Sequence, residues 1–212
     1  MIYKLRFIPL YLRLLLNNIA QIKILIFYKL KFNLIAPNFM KRKLIHLHSQ
    51  KLSRSKNIQI KTIVETGTYL GQTIKYFYKK NYICYSIEID SVLNEFNLFR
   101  FRNVDKINLL KGDSKLELNK VVNMISEPCI FFLDAHALGG ITSQSDTASV
   151  LIDEIDILSN YKHIKDSLII IDDVRGLDGT NSYPTIEAIK DKLEQVGLKN
   201  FQITSDMLFA SS

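Results

Sequence analysis

From residue 58 onward the apolar positions keep changing rhythm: short runs that are apolar almost throughout are followed by stretches in which apolar residues recur every three or four positions. The first rhythm predicts strands buried on both faces, the second amphipathic helices. Strands are predicted at 58–65, at 82–89, through "KINLLKG" from 106, at 129–133 and at 167–174. Helices are predicted between them at 72–80, 91–102, 114–125 and 147–160, with a last one over 183–196. Ile74, Phe77 and Tyr78, then Leu151, Ile155 and Leu158, then Ile186, Ile189, Leu193 and Val196 form the buried stripes, and Gly197 stops the last helix. "FQITSDMLFA" predicts a hairpin turning at Ser205-Asp206. Strict β-α alternation with short loops points to the α/β class: a doubly wound, mostly parallel sheet with a terminal antiparallel hairpin.

Residues 1–57 follow neither rhythm cleanly. "MIYKLRFIPLYLRLLLNNIAQIKILIFYKLKFNLIAP" is apolar, but Arg13, Asn17, Asn18, Gln21 and Lys23 break it before it reaches the ~18 consecutive apolar residues of a spanning helix. No small-residue cleavage site follows the apolar stretch, so a signal peptide fits poorly. Charge sharpens the division: residues 1–57 hold twelve Lys or Arg and no Asp or Glu, leaving sixteen basic against twenty-one acidic residues in 58–212. The expected organisation is a basic, apolar, helical N-terminal extension, 1–57, and one α/β domain, 58–212. Two readings of the extension stay open: a hold on an anionic membrane surface through residues 1–40, or an apolar face that caps the domain or self-associates. No nucleic-acid partner is expected, and the expected location is the cytoplasm, with a peripheral hold on a membrane. Cys84 and Cys129 lie inside apolar strand-like runs and read as small core residues.

In open α/β sheets ligands bind beyond the carboxyl ends of the strands, so the residues on which the strands stop carry the candidate chemistry. The first strand stops in "ETGTYLGQT", where Gly67 and Gly71 flank Tyr69 and the dinucleotide fingerprint GxGxxG is absent. A glycine there lets backbone approach a ligand, and the following helix start is expected to offer free N–H groups. The second strand ends on Glu88, whose carboxylate could accept from both hydroxyls of a ribose in either an NAD or an adenosylmethionine enzyme. "KGDS" after the third strand places Asp113 and Ser114 for an adenine amino group, or as a helix cap. "FFLDAH" and "IIIDDV" end the fourth and fifth strands on Asp134 and on Asp172-Asp173. Carboxylates that converge without a cation repel one another and rise in pKa. A hard divalent ion such as Mg2+ would relieve this, and the plainer alternative is that Asp134 and Asp173 cap helices.

Taken in order, "VETGTYLG", "SIEID", "KGDS", "FFLDAH" and "IIIDDV" resemble the class I S-adenosylmethionine-dependent methyltransferases over about residues 58–212, and within them the macrocin O-methyltransferase type. The resemblance implies a Rossmann-like fold and transfer of a methyl group from S-adenosylmethionine to a sugar hydroxyl of a glycan or glycosylated small molecule. It also implies Glu65, Gly67, Thr68, Tyr69, Gly71, Glu88, Asp113 and Ser114 around the cofactor, with Tyr69 at a position the family fills with glycine. Asp134, Asp172 and Asp173 become ligands of Mg2+ or another divalent ion. His136 then takes the proton of the acceptor hydroxyl, in keeping with an imidazole pKa near ~6.5. The competing expectations are a catalytically inactive binding module of the same fold, docked on membrane by its basic extension, and an NAD-dependent oxidoreductase, which the missing GxGxxG disfavours.

Overall fold

The computed structural model describes residues 38–134, 147–180 and 183–212. Helix α1, Asn38–Lys56, precedes β1 (Thr62–Thr66), α2 (Gln72–Tyr78), β2 (Ile83–Glu88), α3 (Ser91–Phe101), β3 (Ile107–Lys111), α4 (Ser114–Met124) and β4 (Cys129–Leu133). Then come α5 (Thr147–Ser159), β5 (Leu168–Asp172), α6 (Ile186–Gln195), β6 (Asn200–Thr204) and β7 (Met207–Ser211). The strands form a single sheet in the order β3-β2-β1-β4-β5-β7-β6. The pairs from β3 through β5 are parallel, while β7 runs antiparallel to β5 and to β6. This is the doubly wound, mostly parallel sheet with a terminal hairpin that the apolar rhythm predicts.

Alternation along the strands divides the core. Val64, Phe131, Leu133, Ile169, Ile171 and Leu208 point to one face, against residues of α4, α5 and α6 such as Leu118, Leu151, Ile155 and Ile189. Ile63, Ile130, Phe132, Leu168, Ile170 and Phe209 point to the other, against Ile45 and Leu52 of α1, Ile74 and Phe77 of α2 and Phe101 of α3. Every residue of β1 and β4 is buried, which is why the β4 run is apolar throughout, while β1 also buries Thr62, Glu65 and Thr66. Cys84 and Cys129 are buried free thiols in this core. At the terminal hairpin Ser205 and Asp206 both take positive φ, 54° and 64°, the combination a two-residue hairpin turn needs to match strand twist.

Two predicted boundaries shift for local reasons. The first strand begins at Thr62 rather than at residue 58, because α1 runs to Lys56 and closes on Asn57 in the left-handed region at φ 53°. There Ile58 N–H donates to Ser53 C=O at 2.9 Å and Asn57 N–H to Arg54 C=O at 3.4 Å, a closing pattern that asparagine tolerates well. The last helix begins at Ile186, because the Thr185 hydroxyl caps it by accepting from Ala188 N–H at 3.1 Å. Tyr183 and Pro184 therefore precede the helix instead of opening it.

Helix α1 packs across the division drawn from charge. The boundary at residue 57 cuts through the packed structure: Met40, Lys41, Ile45, Ser49 and Leu52 of α1 are buried, at four- and three-residue spacing from Lys41 onward. Residues 38–56 cover the sheet as the third helix of one face. Among the described residues no helix is long and apolar enough to cross a membrane. Ile45 is fully buried, so Ile45→Ala is expected to cost about 2–5 kcal/mol in urea unfolding with a single transition retained. An unchanged midpoint would mean that α1 is only loosely docked.

Candidate active site

The strand order reverses between β1 and β4, which leaves a crevice above their carboxyl ends. Gly67, the first residue after β1, stands on one side of it with φ +81°, and a Cβ built there would lie 3.4 Å from the Cβ of Asp134, the first residue after β4. The β1 turn is tightly bonded. Gly67 and Thr68 N–H both donate to Ile87 C=O, at 3.0 and 3.2 Å, Tyr69 N–H donates to Glu88 Oε2 at 2.8 Å, and Gly71 N–H donates to Thr68 C=O at 2.8 Å. Bonds to the neighbouring strand end and within the turn thus consume the N–H groups of these four residues.

Each predicted cofactor residue has a defined place. Glu88, almost fully buried, also accepts from Asp90 N–H through Oε1 at 2.9 Å, so its carboxylate fastens the β1 turn to the β2 end. A carboxylate has about four lone-pair sites, which leaves acceptor capacity for a ribose. The Thr68 hydroxyl is turned inward onto Ser86 Oγ at 2.7 Å. Tyr69 adopts φ 47°, a conformation that glycine takes more readily, and the residue is 57% exposed. A Cβ on Gly71 would fall 2.4 Å from Asn97 Oδ1 and 2.7 Å from a ring carbon of Phe101, so this glycine serves the packing of α2 on α3. Asp113 caps α4 through Lys115 N–H at 2.9 Å, the alternative open for it from sequence. Ser114, at the first position of α4, hydrogen-bonds Glu154.

Glu65 is buried at the end of β1, on the α1 side of the sheet, and accepts from Ser86 Oγ at 2.8 Å. Burial pushes its carboxyl up to about 8; hydrogen bonds from Ser86 and Thr73 and the charge of Arg42 oppose the rise, and the charge of Asp134 adds to it. Glu154 of α5, absent from the residues expected at the site, behaves likewise: burial raises it to about 7 against bonds from Ser114 and Thr66, with Asp134 and Asp113 adding. Its signal was present, since an acid stands at helical spacing inside the Leu151–Ile155–Leu158 stripe.

The acceptor half departs further from expectation. Lys41 of α1 places its Nζ 2.5 Å from Asp172 Oδ1 and 3.4 Å from Asp173 Oδ1. Burial works to lower the Lys41 ammonium, but the hydrogen bond and charge of Asp172, with Asp173 behind them, hold it above its ordinary value. Burial pushes the Asp172 carboxyl up while Lys41 pulls it down, and the short contact fits a charged pair. Asp173 takes φ 55° and also lies 3.5 Å from Arg175. The pair expected to bind Mg2+ is therefore spanned by an ammonium, and an ion could coordinate Asp172 Oδ1, which also accepts from Asp173 N–H, only by displacing it. Among the described residues no group of three His, Cys, Asp or Glu side chains could share a metal ion, so Asp134, Asp172 and Asp173 do not fit one as they stand. His136 lies outside the described residues.

The fold recurs in solved structures. A Staphylococcus aureus protein described as a caffeoyl-CoA O-methyltransferase superposes with a TM-score of 0.52 at 18% identity, over 92% of this chain and 90% of that one. An O-methyltransferase from Bacillus cereus, in complex with SAH, superposes with a TM-score of 0.52 at 14% identity over 93% and 90%. The chain has the Rossmann-like methyltransferase fold. A ribosomal protein L11 methylase from Lactobacillus delbrueckii subsp. bulgaricus matches with a TM-score of 0.50 at 13% identity, over 84% of this chain and 79% of that one, so methyltransferases for unlike acceptors share the fold. No family model matches the chain, and no curated protein sequence is significantly similar to it.

Two buried carboxyls at the crevice of a methyltransferase fold give a pH signature. Glu65 near 8 and Glu154 near 7 keep protons in the native state that the unfolded chain has lost above its ordinary glutamate pKa. Their contribution to stability is fully present below that value and is lost as pH rises through about 7 and then about 8. The melting temperature should therefore fall between about pH 5 and about pH 9, and the fall should shrink in Glu65→Gln. A mutant with the same pH slope as wild type would show that Glu65 is already ionised.

Proposed function

We propose that the chain is an S-adenosylmethionine-dependent O-methyltransferase, with a sugar hydroxyl as its acceptor in line with the macrocin-type motif order. The observation that carries the reading is the close approach of Gly67 and Asp134 at the strand ends where the order reverses, with Glu88 fixed at the next strand end. A sulfonium cofactor with an amino group brings positive charge, and Glu65 and Asp134 line the place where that charge would settle. Its arrival would offset the desolvation that keeps Glu65 protonated, so ligand charge and carboxylate ionisation reinforce each other. Glu88 would receive the ribose hydroxyls on lone pairs its two backbone bonds leave free.

Transfer needs the acceptor oxygen aligned with the methyl carbon and relieved of its proton. His136 is the base in this reading, two residues beyond Asp134 in the chain. The bond from oxygen to methyl forms as the methyl–sulfur bond breaks, the electron pair stays on the now neutral sulfur, and the proton goes to the base. A divalent ion is not part of this reading, because Lys41 already holds Asp172 and Asp173.

Calorimetry tests the cofactor. Adenosylhomocysteine should bind and NAD should not, and Glu88→Ala should weaken the former by about 1.5–3 kcal/mol, the range for hydrogen bonds to a charged group. Binding of NAD in its place would return the chain to the oxidoreductase reading, and binding of neither would favour a module without catalysis.

The extension keeps a second role in this proposal. Residues 1–37, which lie outside the described residues, carry six of the twelve basic side chains and no acidic one, a composition suited to an anionic membrane surface. Full-length protein should sediment with phosphatidylserine-containing vesicles, less so as salt rises, while protein lacking 1–37 but retaining α1 should not. Equal sedimentation of the two would remove the membrane from the proposal.

A further inference from the structure

Helix α1 was set apart by its charge, yet its first turns lie over the carboxyl ends of the strands. Lys41 reaches Asp172 and Asp173 at the end of β5, and the charge of the next residue, Arg42, acts on Glu65 at the end of β1. Glu65 and Asp172 share a sheet face, because Ile63 of β1 and Leu168 and Ile170 of β5 pack on the α1 side and alternation carries the same side to residues 65 and 172. One helical turn thus brings two positive charges to a buried acid and a half-buried one, on strands that flank β4.

We propose that Lys41 is the built-in counter-cation of the acceptor half: its ammonium stands where a divalent ion would otherwise bridge Asp172 and Asp173, and the chain carries out transfer without a metal at that pair. The inference rests on the methyltransferase reading of the site and adds that α1 completes it.

Geometry favours this over an incidental contact. The Lys41 side chain is 7% exposed, and those of Asp172 and Asp173 are 13% and 17% exposed, so the ammonium is enclosed by the two carboxylates, with Arg175 3.5 Å from Asp173 on the more exposed side. Asp172 Oδ1 also accepts from Asp173 N–H at 2.9 Å, which fixes the carboxylate in the plane the ammonium meets. Asp173 is held in the left-handed region, where a non-glycine residue persists only if its surroundings over-determine it. A buried ion pair adds little net stability compared with an apolar substitute, so its placement beside the crevice asks for another reason. At Asp172 Oδ1 the ammonium and Asp173 N–H already take both lone pairs, so a divalent ion has no place on that oxygen while Lys41 stays. Lys41 acts through Asp172 and is a positioning residue: it sets the charge and direction of the carboxylates facing the acceptor.

The test is titration of the full-length protein with MnCl2, read by the loss of the free Mn2+ spin-resonance signal. Wild type should show no binding that depends on Asp172. Lys41→Ala, which vacates the cation position, should gain a single bound Mn2+, and Lys41→Ala combined with Asp172→Asn should lose it. Lys41→Arg should behave as wild type, since a guanidinium restores the charge. Lys41→Met serves as a second vacating variant if Lys41→Ala fails to fold. Should neither fold, the wild-type and Asp172→Asn titrations decide the matter. Mn2+ binding to wild type that Asp172→Asn abolishes would overturn the proposal. So would a folded Lys41→Ala that melts lower but gains no ion, because that is the behaviour of a purely structural pair. Adenosylhomocysteine affinity on the same samples separates the two levels: its absence in wild type sinks methyl transfer, whatever the Mn2+ titrations give.

Discussion

Burying β4 and β5 on both faces is the constraint on which the rest of the structure depends. A strand in that position is apolar to its last residue, and the chain must then turn polar abruptly in order to leave the sheet. Asp134 and Asp172 are the residues on which that change falls, and they arrive side by side because Leu133 pairs with Ile171 in the parallel register. Acids placed at the rim of so apolar a core are partly stripped of water, and their charge has to be answered from somewhere. The answer at β5 comes from α1, whose stripe from Lys41 through Ile45 and Ser49 to Leu52 docks on the same face and sets its first cation over that strand end.

The same economy operates around β1 and β2, where the residues that would hold a cofactor also hold the fold. Glu88 ties two backbone N–H groups together before any ribose reaches it, and Gly71 leaves room for Asn97 and Phe101 beside α2. A carboxylate with this double duty is pre-positioned, and a ligand meets it without reorganising the turn. Glu65 and Glu154 are the complement: acids kept protonated by burial near neutral pH, which a cationic ligand could draw into their charged form. The crevice is thus shaped by acids in two conditions, one satisfied by backbone and the other waiting for charge.

Much of this was legible along the chain. Apolar runs at 129–133 and 167–174 marked the central strands, three- and four-residue spacing marked the helices, and a two-residue turn at Ser205-Asp206 marked the hairpin, because period and turn chemistry are local properties. The acids at strand ends were legible for the same reason, since a doubly wound sheet gathers its carboxyl ends on one side. Which way those acids face, and what meets them, was not. Asp172 and Asp173 read as metal ligands along the chain because the ammonium that spans them belongs to a residue 131 positions away from Asp172.

The contrast has a physical cause. Periodicity, capping and turn preference act over a few residues, so the chain's own order specifies its elements, their sequence along the chain and the glycine turn after β1. Pairing of buried charges acts across space and is settled when helices dock. Six of the twelve basic residues in 1–57 lie in α1, and from composition they were indistinguishable from the six that precede it. Docking separated them, because burying Ile45 and Leu52 against the sheet carries Lys41, four residues before Ile45, to the rim where two carboxylates meet it.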